Sequence, residues 1–498
     1  MKIKFFLTLA ICSVFVMTGQ TEAELANSTV FKKDIEGHIY FLASDELKGR
    51  QTGTHELDIA AAYLANDLRK HNVKPAGKDG SYYQNVPMEK VSAPNAITLK
   101  VNDQSFDNFL AMSVKNFTYE GDALYLGFGT EEDFKNNKVE GKLVIVKAGT
   151  EETSDMRAKY RAGRKKRSLA IENGAVGLVE LTHADEKMWN RYAHYFNEGK
   201  TGLKKEEGED KFVHVWMMDK ELNGAAQLSE SKSLKSSLSI DGIETKDISS
   251  RNVVGYLEGS DPELKDEYII YSAHYDHVGI GKPNAENDSI YNGARDNAVG
   301  TVTVLSVAEN FSKYPTKRSA LFILFTGEEK GLLGSKYYVE NPVMPLNKMV
   351  YCFNSDNAGY NDTSKITIFG LNRTTVGHHI TEAAEAFGLT AIDDPAPEQN
   401  LFDRSDNVNF AAKGIPAPTF SLGFNAFDAE INKYYHQVTD NPENVDYDYL
   451  EKFFKSYVLS SRLIANDPKT PFWTKGDKYY KAGIELYKEK EVETSVLD

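Results

Sequence analysis

The sequence predicts an α/β fold: a mixed, mostly parallel central sheet flanked by helices, with a smaller α/β domain inserted into it. Three observations carry this expectation. From residue 251 onward, apolar strand-like runs alternate with helix-like segments. One of them, ALFILF (320–325), is apolar without a break, as in a strand buried on both faces, which calls for helices on both sides of the sheet. Around residue 120 the pattern changes to a different series of strand-like runs, and 498 residues exceed what one ordinary core accommodates.

In chain order, residues 31–73 have helical character, broken by KGRQTGT (48–54). In the second helix Leu57, Ala60, Ala61, Leu64 and Leu68 share a face at helical spacing. Residues 80–118 alternate like short strands, and 24–114 are assigned to the N-terminal part of the main domain. The insertion is placed at 115–245, with strands in ALYLGFG, KLVIVKAG and AVGLVELTH and a helix-like RSLAIEN before the last. Its basic run from Arg157 to Arg167 fits a solvated helix face, KKEEGEDK (204–211) an exposed loop, and SESKSLKSSLS a polar closing stretch. In 246–470 follow VVGYLEG, YIIYSAHYDHVG, a helix near 298–313, ALFILFTGEE, a helix near 331–340, MVYCFNSDNAG and KITIFG; 471–498 form a tail.

A hydrophobic content of 41% with 26% charged residues is ordinary for a globular protein. A net charge of −15 argues against nucleic acid or an anionic membrane as partner. Residues 1–23 have two lysines, an apolar run and small residues near Ala23, the pattern of a secretory signal, so a secreted or periplasmic chain is expected. Acylation of Cys12 is disfavoured by the bulky Ile11 before it. No other apolar run reaches the roughly 20 residues of a membrane helix. Cys352, in the apolar MVYCF, is expected to be an inert core thiol.

Five metal-type side chains follow in order: His274, Asp296, Glu329, Asp356 and His436, with Glu328 beside the third. Two imidazoles, three carboxylates and a spare glutamate suit two zinc ions and a general base. His274 and Asp276 follow the run YIIYSA; at positions i and i+2 one can bind metal while the other fixes the imidazole, and His277 is expected to point away. Asp296 sits in a Gly- and Asn-rich loop before a helix, where a helix cap is the competing explanation. Glu328 and Glu329 follow a buried strand, where open α/β sheets place their sites. Adjacent carboxylates resist joint ionisation unless a cation stabilises them, so a metal at Glu329 would leave Glu328 free to move protons. Asp356 also follows a strand, and Tyr435 stands beside His436 as a hydrogen-bond donor.

The strings SAHYDHVGIG, IYNGARDNAVGT, FTGEEKGLLGS, NSDNAG and YYHQVTDNPENVD resemble the successive motifs of the M28 family of zinc aminopeptidases. Residues 38–86 resemble the start of that family's catalytic domain, and 115–245 are similar to its inserted protease-associated domain. The resemblance implies two Zn2+ per chain: His274 and Asp356 on one, Glu329 and His436 on the other, and Asp296 bridging. It further implies Glu328 as general base, Asp276 orienting His274, a cis peptide at Asp296-Asn297, and Arg404 with the Ser405-Asp406 pair of RSDNVNF lining the site, where Tyr435 or Arg404 is expected to stabilise an oxyanion. Arg295 departs from the family, where Asp is common, and is expected to alter the charge of the pocket. The activity implied is removal of N-terminal residues from peptides with a free amino end. A carboxypeptidase or dipeptidase of the same family, and a receptor-like binder that has lost catalysis, are the competing readings. Phe402, Phe410, Phe424 and Phe427 fit either an apolar pocket or core.

Overall fold

The computed structural model describes residues 20–488, except 103, 114, 153–154, 197–198, 205–211, 221–222 and 230–233. Residues 1–19 of the expected signal segment, most of KKEEGEDK and the last ten residues therefore lie outside the described residues. The chain divides into two compact units, Met1–Val86 with Ser250–Asp498, and Pro87–Ser249.

The boundary of the second unit falls earlier than residue 115. Ala96–Val101 pairs with Leu234–Asp241 and Phe109–Ser113 with Val213–Met218, both antiparallel, inside that unit's own sheet. Leu99 and Val101 are buried there in one cluster with Leu238 and Ile240. Period-2 alternation announces a strand but not which sheet it joins, so a boundary at 115 leaves these strands on the wrong side. Alternation also explains the polar closing stretch: in Leu234–Asp241 every second residue from Leu234 is buried, so it is a strand. The basic run forms the helix Met156–Glu172, but Lys159 and Lys166 are buried rather than solvated. Lys166 reaches the fully buried Glu180 at 3.3 Å, and His214 and Trp216 hydrogen-bond the same carboxylate at 2.7 and 2.9 Å.

In the first unit the strands that carry the site are β1 (Thr245–Leu257), β2 (Tyr268–His274), β3 (Ser319–Phe325), β4 (Met349–Ser355), β5 (Lys365–Phe369), β6 (Thr390–Ile392) and β7 (Thr419–Leu422). They lie in the order β6-β5-β7-β4-β2-β3-β1. Strand β2 runs parallel to β3 and β4, β4 to β7 and β5 to β6, while the pairs β1/β3 and β5/β7 are antiparallel. This is the mixed, mostly parallel sheet expected.

The helices are α1 (Lys32–Leu42), α2 (His55–Lys70), α3 (Gly300–Lys313), α4 (Leu333–Glu340), α5 (Gly377–Ala386) and α6 (Tyr447–Asn466). Strand β3 shows why both faces must be covered. Phe322 and Leu324 join a core that includes Leu64 of α2, Val304 of α3, Ile380 of α5 and Tyr457 of α6. Leu321, Ile323 and Phe325 join the opposite core, with Tyr338 of α4, Phe410 and Trp473. Each such side chain contributes about 1.5–3 kcal/mol on burial, so a strand apolar on both faces is stable only in the middle of the sheet. The parallel strands β2, β3 and β4 therefore end side by side, with His274 opposite Phe325 in register.

Candidate metal centre and active site

Five of the six candidate metal-site residues lie at or beyond the carboxyl ends of those three strands or on the loop before α3. His274 closes β2, Glu328 and Glu329 follow β3, Asp356 follows β4, and Asp296 precedes α3. The sixth, His436, comes from the segment between Ala429–Asn432 and α6 and has a left-handed φ of 51°.

Asp296 stands between the two histidines. Its Oδ1 is 3.4 Å from His274 Nε2, and its Oδ2 is 3.2 Å from His436 Nε2. His274 Nε2 is also 3.3 Å from Asp356 Oδ1, and His436 Nε2 is 3.2 Å from Glu329 Oε1. Tetrahedral zinc with ligands at about 2.0–2.1 Å separates neighbouring ligand atoms by about 3.3 Å. Two donor groups thus have the spacing of zinc ligands: His274, Asp296 and Asp356 in one, and Asp296, Glu329 and His436, joined by His277, in the other.

His277 overturns the expectation that it points away. Strand β2 stops at His274, so alternation no longer governs the residues after it, and the His277 main chain instead donates to Arg50 O at 3.1 Å. This turns its buried imidazole inward, with Nδ1 at 2.9 Å from Glu329 Oε1.

Asp276 acts differently from expectation. His274 Nδ1–H donates to the main-chain carbonyl of Asp276 at 3.1 Å, while the Asp276 carboxylate stays 3.9 Å away. The carboxylate instead accepts the Thr52 hydroxyl at 2.7 Å and the Glu328 main-chain N–H at 3.1 Å. The tautomer of His274 is still set, leaving Nε2 free for a metal, and Asp276 holds the backbone of Glu328.

The electrostatics follow from crowding out of water. Burial opposes charge on His274, but Asp356, Glu328 and Asp296 outweigh it and keep its pKa well above the ordinary value. Burial also works against Asp296, yet the two imidazoles hold it well below the usual carboxylate range. Glu329 is lowered to about 2 by His277 and His436 against burial and the neighbouring Asp296. Glu328 goes the other way: burial, reinforced by Asp356, Glu329 and Asp406, raises its pKa well above the ordinary value despite His274. One carboxyl in the cluster is thus suited to hold a proton while its neighbours stay charged.

The cavity over this cluster is lined by Glu328, Arg404, Tyr435, Phe369, Phe424 and Phe427, among others. Of the four phenylalanines considered, Phe424 and Phe427 line it, while Phe402 and Phe410 are buried in the core. Tyr435 stacks on His436 with ring centroids 4.1 Å apart. Arg295 does not enter the cavity. It is buried between Tyr360 and Tyr434 and donates to Asn444 O at 2.6 Å, so its charge is spent away from the pocket. The Asp296-Asn297 peptide is cis. Burial pushes the Cys352 thiol up to about 12, consistent with an inert core residue.

One buried carboxylate, Asp440, escaped the sequence reading, while Asp406 belongs to the Ser-Asp pair of RSDNVNF that the resemblance puts at the site. Asp440 accepts the main-chain N–H groups of Arg295 at 3.1 Å and Asp296 at 3.2 Å, pinning the loop that carries Asp296. Burial raises it to about 6. Asp406 accepts from Ser335 and is raised to about 7, first by burial. Asp440 lies four residues after His436, but nothing in its spacing distinguishes it from a turn residue.

A carboxylate- and histidine-rich cluster at the carboxyl edge of a mixed α/β sheet defines a metallohydrolase-type site. The description Peptidase family M28 matches residues 252–459, which contain all of these metal-type side chains. Residues 252–459, about two fifths of the chain, are thus similar to the domain of that family. It is 25% identical over 332 residues to "Aminopeptidase YwaD" of Bacillus subtilis, covering 66% of this chain and 63% of that protein. Over 447 residues it is 24% identical to a "probable leucine aminopeptidase 2" of Aspergillus oryzae, covering 84% of this chain and 81% of that protein. Among solved structures, "Aminopeptidase from Aneurinibacillus sp. strain AM-1" shares the fold with a TM-score of 0.57 at 20% identity, covering 90% of this chain and 97% of the other.

Proposed function

We propose that this chain is a two-zinc aminopeptidase that releases N-terminal residues from peptides, exported after removal of residues 1–23. The observation that carries the reading is the division of Asp296 between the two histidines, one oxygen at 3.4 Å from His274 and the other at 3.2 Å from His436. With Asp296 between them, His274 and Asp356 would hold one metal ion, and Glu329 and His436 the other. Zinc bound there supplies Lewis acidity toward the scissile carbonyl and lowers the pKa of water.

The chain's own residues supply the rest. Glu328, with its proton affinity raised by burial, takes the proton of the attacking water and returns it to the leaving amine. Arg404 and Tyr435 line the cavity as donors toward the developing oxyanion. The free α-ammonium of the substrate lies against the carboxylates, which restricts cleavage to the first residue. Phe369, Leu401, Phe424, Phe427 and Ile431 offer an apolar wall to that residue's side chain. The unit Pro87–Ser249 is the protease-associated insertion of this reading.

The test is hydrolysis of amino-blocked and carboxyl-blocked dipeptides. Cleavage of the carboxyl-blocked set alone is expected. Cleavage of the amino-blocked set alone would make the chain a carboxypeptidase, and cleavage of dipeptides only with both ends free would make it a dipeptidase.

A further inference from the structure

We propose that His277 is a positioning residue for Glu329, whose Nδ1–H holds the carboxylate in the conformer that meets a metal ion together with His436 and Asp296. This rests on the two-metal reading above.

The distances separate positioning from ligation. His277 Nδ1 to Glu329 Oε1 is 2.9 Å, a hydrogen-bond length. The His436 contacts with Glu329 and Asp296, both 3.2 Å, lie close to the separation of about 3.3 Å between two ligand atoms on one zinc. The same oxygen of Glu329 therefore accepts from His277 and faces His436. A hydrogen bond from an imidazole to a ligating carboxylate fixes its orientation before the metal arrives.

The imidazole has little freedom to do anything else. Its main-chain N–H is held by Arg50 O, and Arg50 itself donates to the carbonyls of Tyr275, Leu42, Asn292 and Gly293. Gly293, in the left-handed region at φ 62°, packs so closely on the ring that a Cβ there would come within 2.6 Å of His277 Cδ2. The His436 ring meets it edge-on at a centroid distance of 5.5 Å. Nε2 is buried and has no hydrogen-bond partner among the described residues. The one side-chain hydrogen bond of this buried ring is thus directed at Glu329.

The experiment is a zinc titration of the metal-free full chain against a chromophoric chelator, comparing wild type with His277→Ala and His277→Asn. The Asn amide can place an N–H near the position of Nδ1. Wild type is expected to bind two zinc ions per chain. His277→Ala is expected to weaken one of the two by about 10–100-fold and leave the other unchanged, and His277→Asn to recover most of the loss. Unaltered binding of both ions by His277→Ala would overturn the proposal. So would equal loss in both variants, which would indicate direct ligation. Should the Ala variant fail to fold, by circular dichroism, the Asn variant decides alone, with near-wild-type affinity expected. Wild type that binds no zinc would remove the two-metal reading and this inference together, whereas two ions bound with equal affinities by wild type and His277→Ala would remove only the role of His277.

Discussion

The guanidinium carbon of Arg295 lies 3.5 Å from the centre of the Tyr434 ring and 4.3 Å from that of Tyr360. This clamps the residue before Asp296 to the segment that carries His436, and so ties together two groups from distant parts of the chain. Arg295→Leu should lower the unfolding free energy by about 2–4 kcal/mol, through the lost desolvated cation–π contact and the lost bond to Asn444. Urea unfolding of the metal-free protein measures this. A double-mutant cycle with Tyr434→Leu should give a coupling of about 1–2 kcal/mol; additivity of the two changes would mean that the stacking holds nothing.

Glu328→Gln removes the proton acceptor while keeping shape and leaving Asp296, Glu329 and Asp356 in place. Turnover should fall by about 100- to 10,000-fold with zinc content by atomic absorption unchanged. Activity close to wild type would end the assignment of Glu328 as general base.

Metal removal should register in stability as well as in activity, because Asp296, Glu329 and Asp356 crowd together and repel one another without cations. A ligand present at about a thousandfold over its Kd stabilises the native state by about 4 kcal/mol. Chelation should thus lower the melting temperature by several degrees, and added zinc should restore it. An unchanged melting temperature would argue against metal bound at these residues.

The Glu180 cluster of the second unit gives a pH dependence with a definite sign. Burial works against the charge, but His214, Lys166 and Trp216 outweigh it and hold Glu180 below its ordinary value of 4.5. Its contribution to stability is therefore complete above the unfolded value and is lost as pH falls through the folded one. Glu180→Gln should destabilise the protein at pH 7 by about 3–5 kcal/mol, since it leaves Lys166 buried and unpaired. It should also flatten the loss of stability below pH 4.5, as followed by thermal melts across pH.

Much of the site was legible because its strands are short, apolar and parallel. A chemically distinctive residue just past such a strand, as in His274, Glu329 and Asp356, marks the carboxyl edge of a sheet without knowledge of the rest. Asp296 and His436 carried little signal of their own; a loop aspartate and a loop histidine are common, and their place in the ordered series, together with the family resemblance, joined them to the others. His277 and Asp440 were not legible. Their positions depend on how the chain turns after β2 ends and on contacts between segments far apart in sequence, such as the bond of His277 to Arg50 and of Asp440 to Arg295. Arg295 was judged from its place beside Asp296, but its long side chain leaves the cavity for Tyr360 and Tyr434. The start of the second unit at Pro87 was hidden for a related reason, since the strand pattern at 96–113 is the same whichever sheet accepts it.

The most direct test of the two-metal account is a joint titration. Zinc is added stepwise to chelated, refolded-by-dialysis protein while hydrolysis of leucine p-nitroanilide and bound zinc are measured on the same samples. Activity that rises with zinc and levels off at two ions per chain, with none in the chelated sample, is the expected result. A folded protein that takes up no zinc, or one that is loaded with zinc and releases no p-nitroaniline from leucine or any other amino-acid p-nitroanilide, would contradict it.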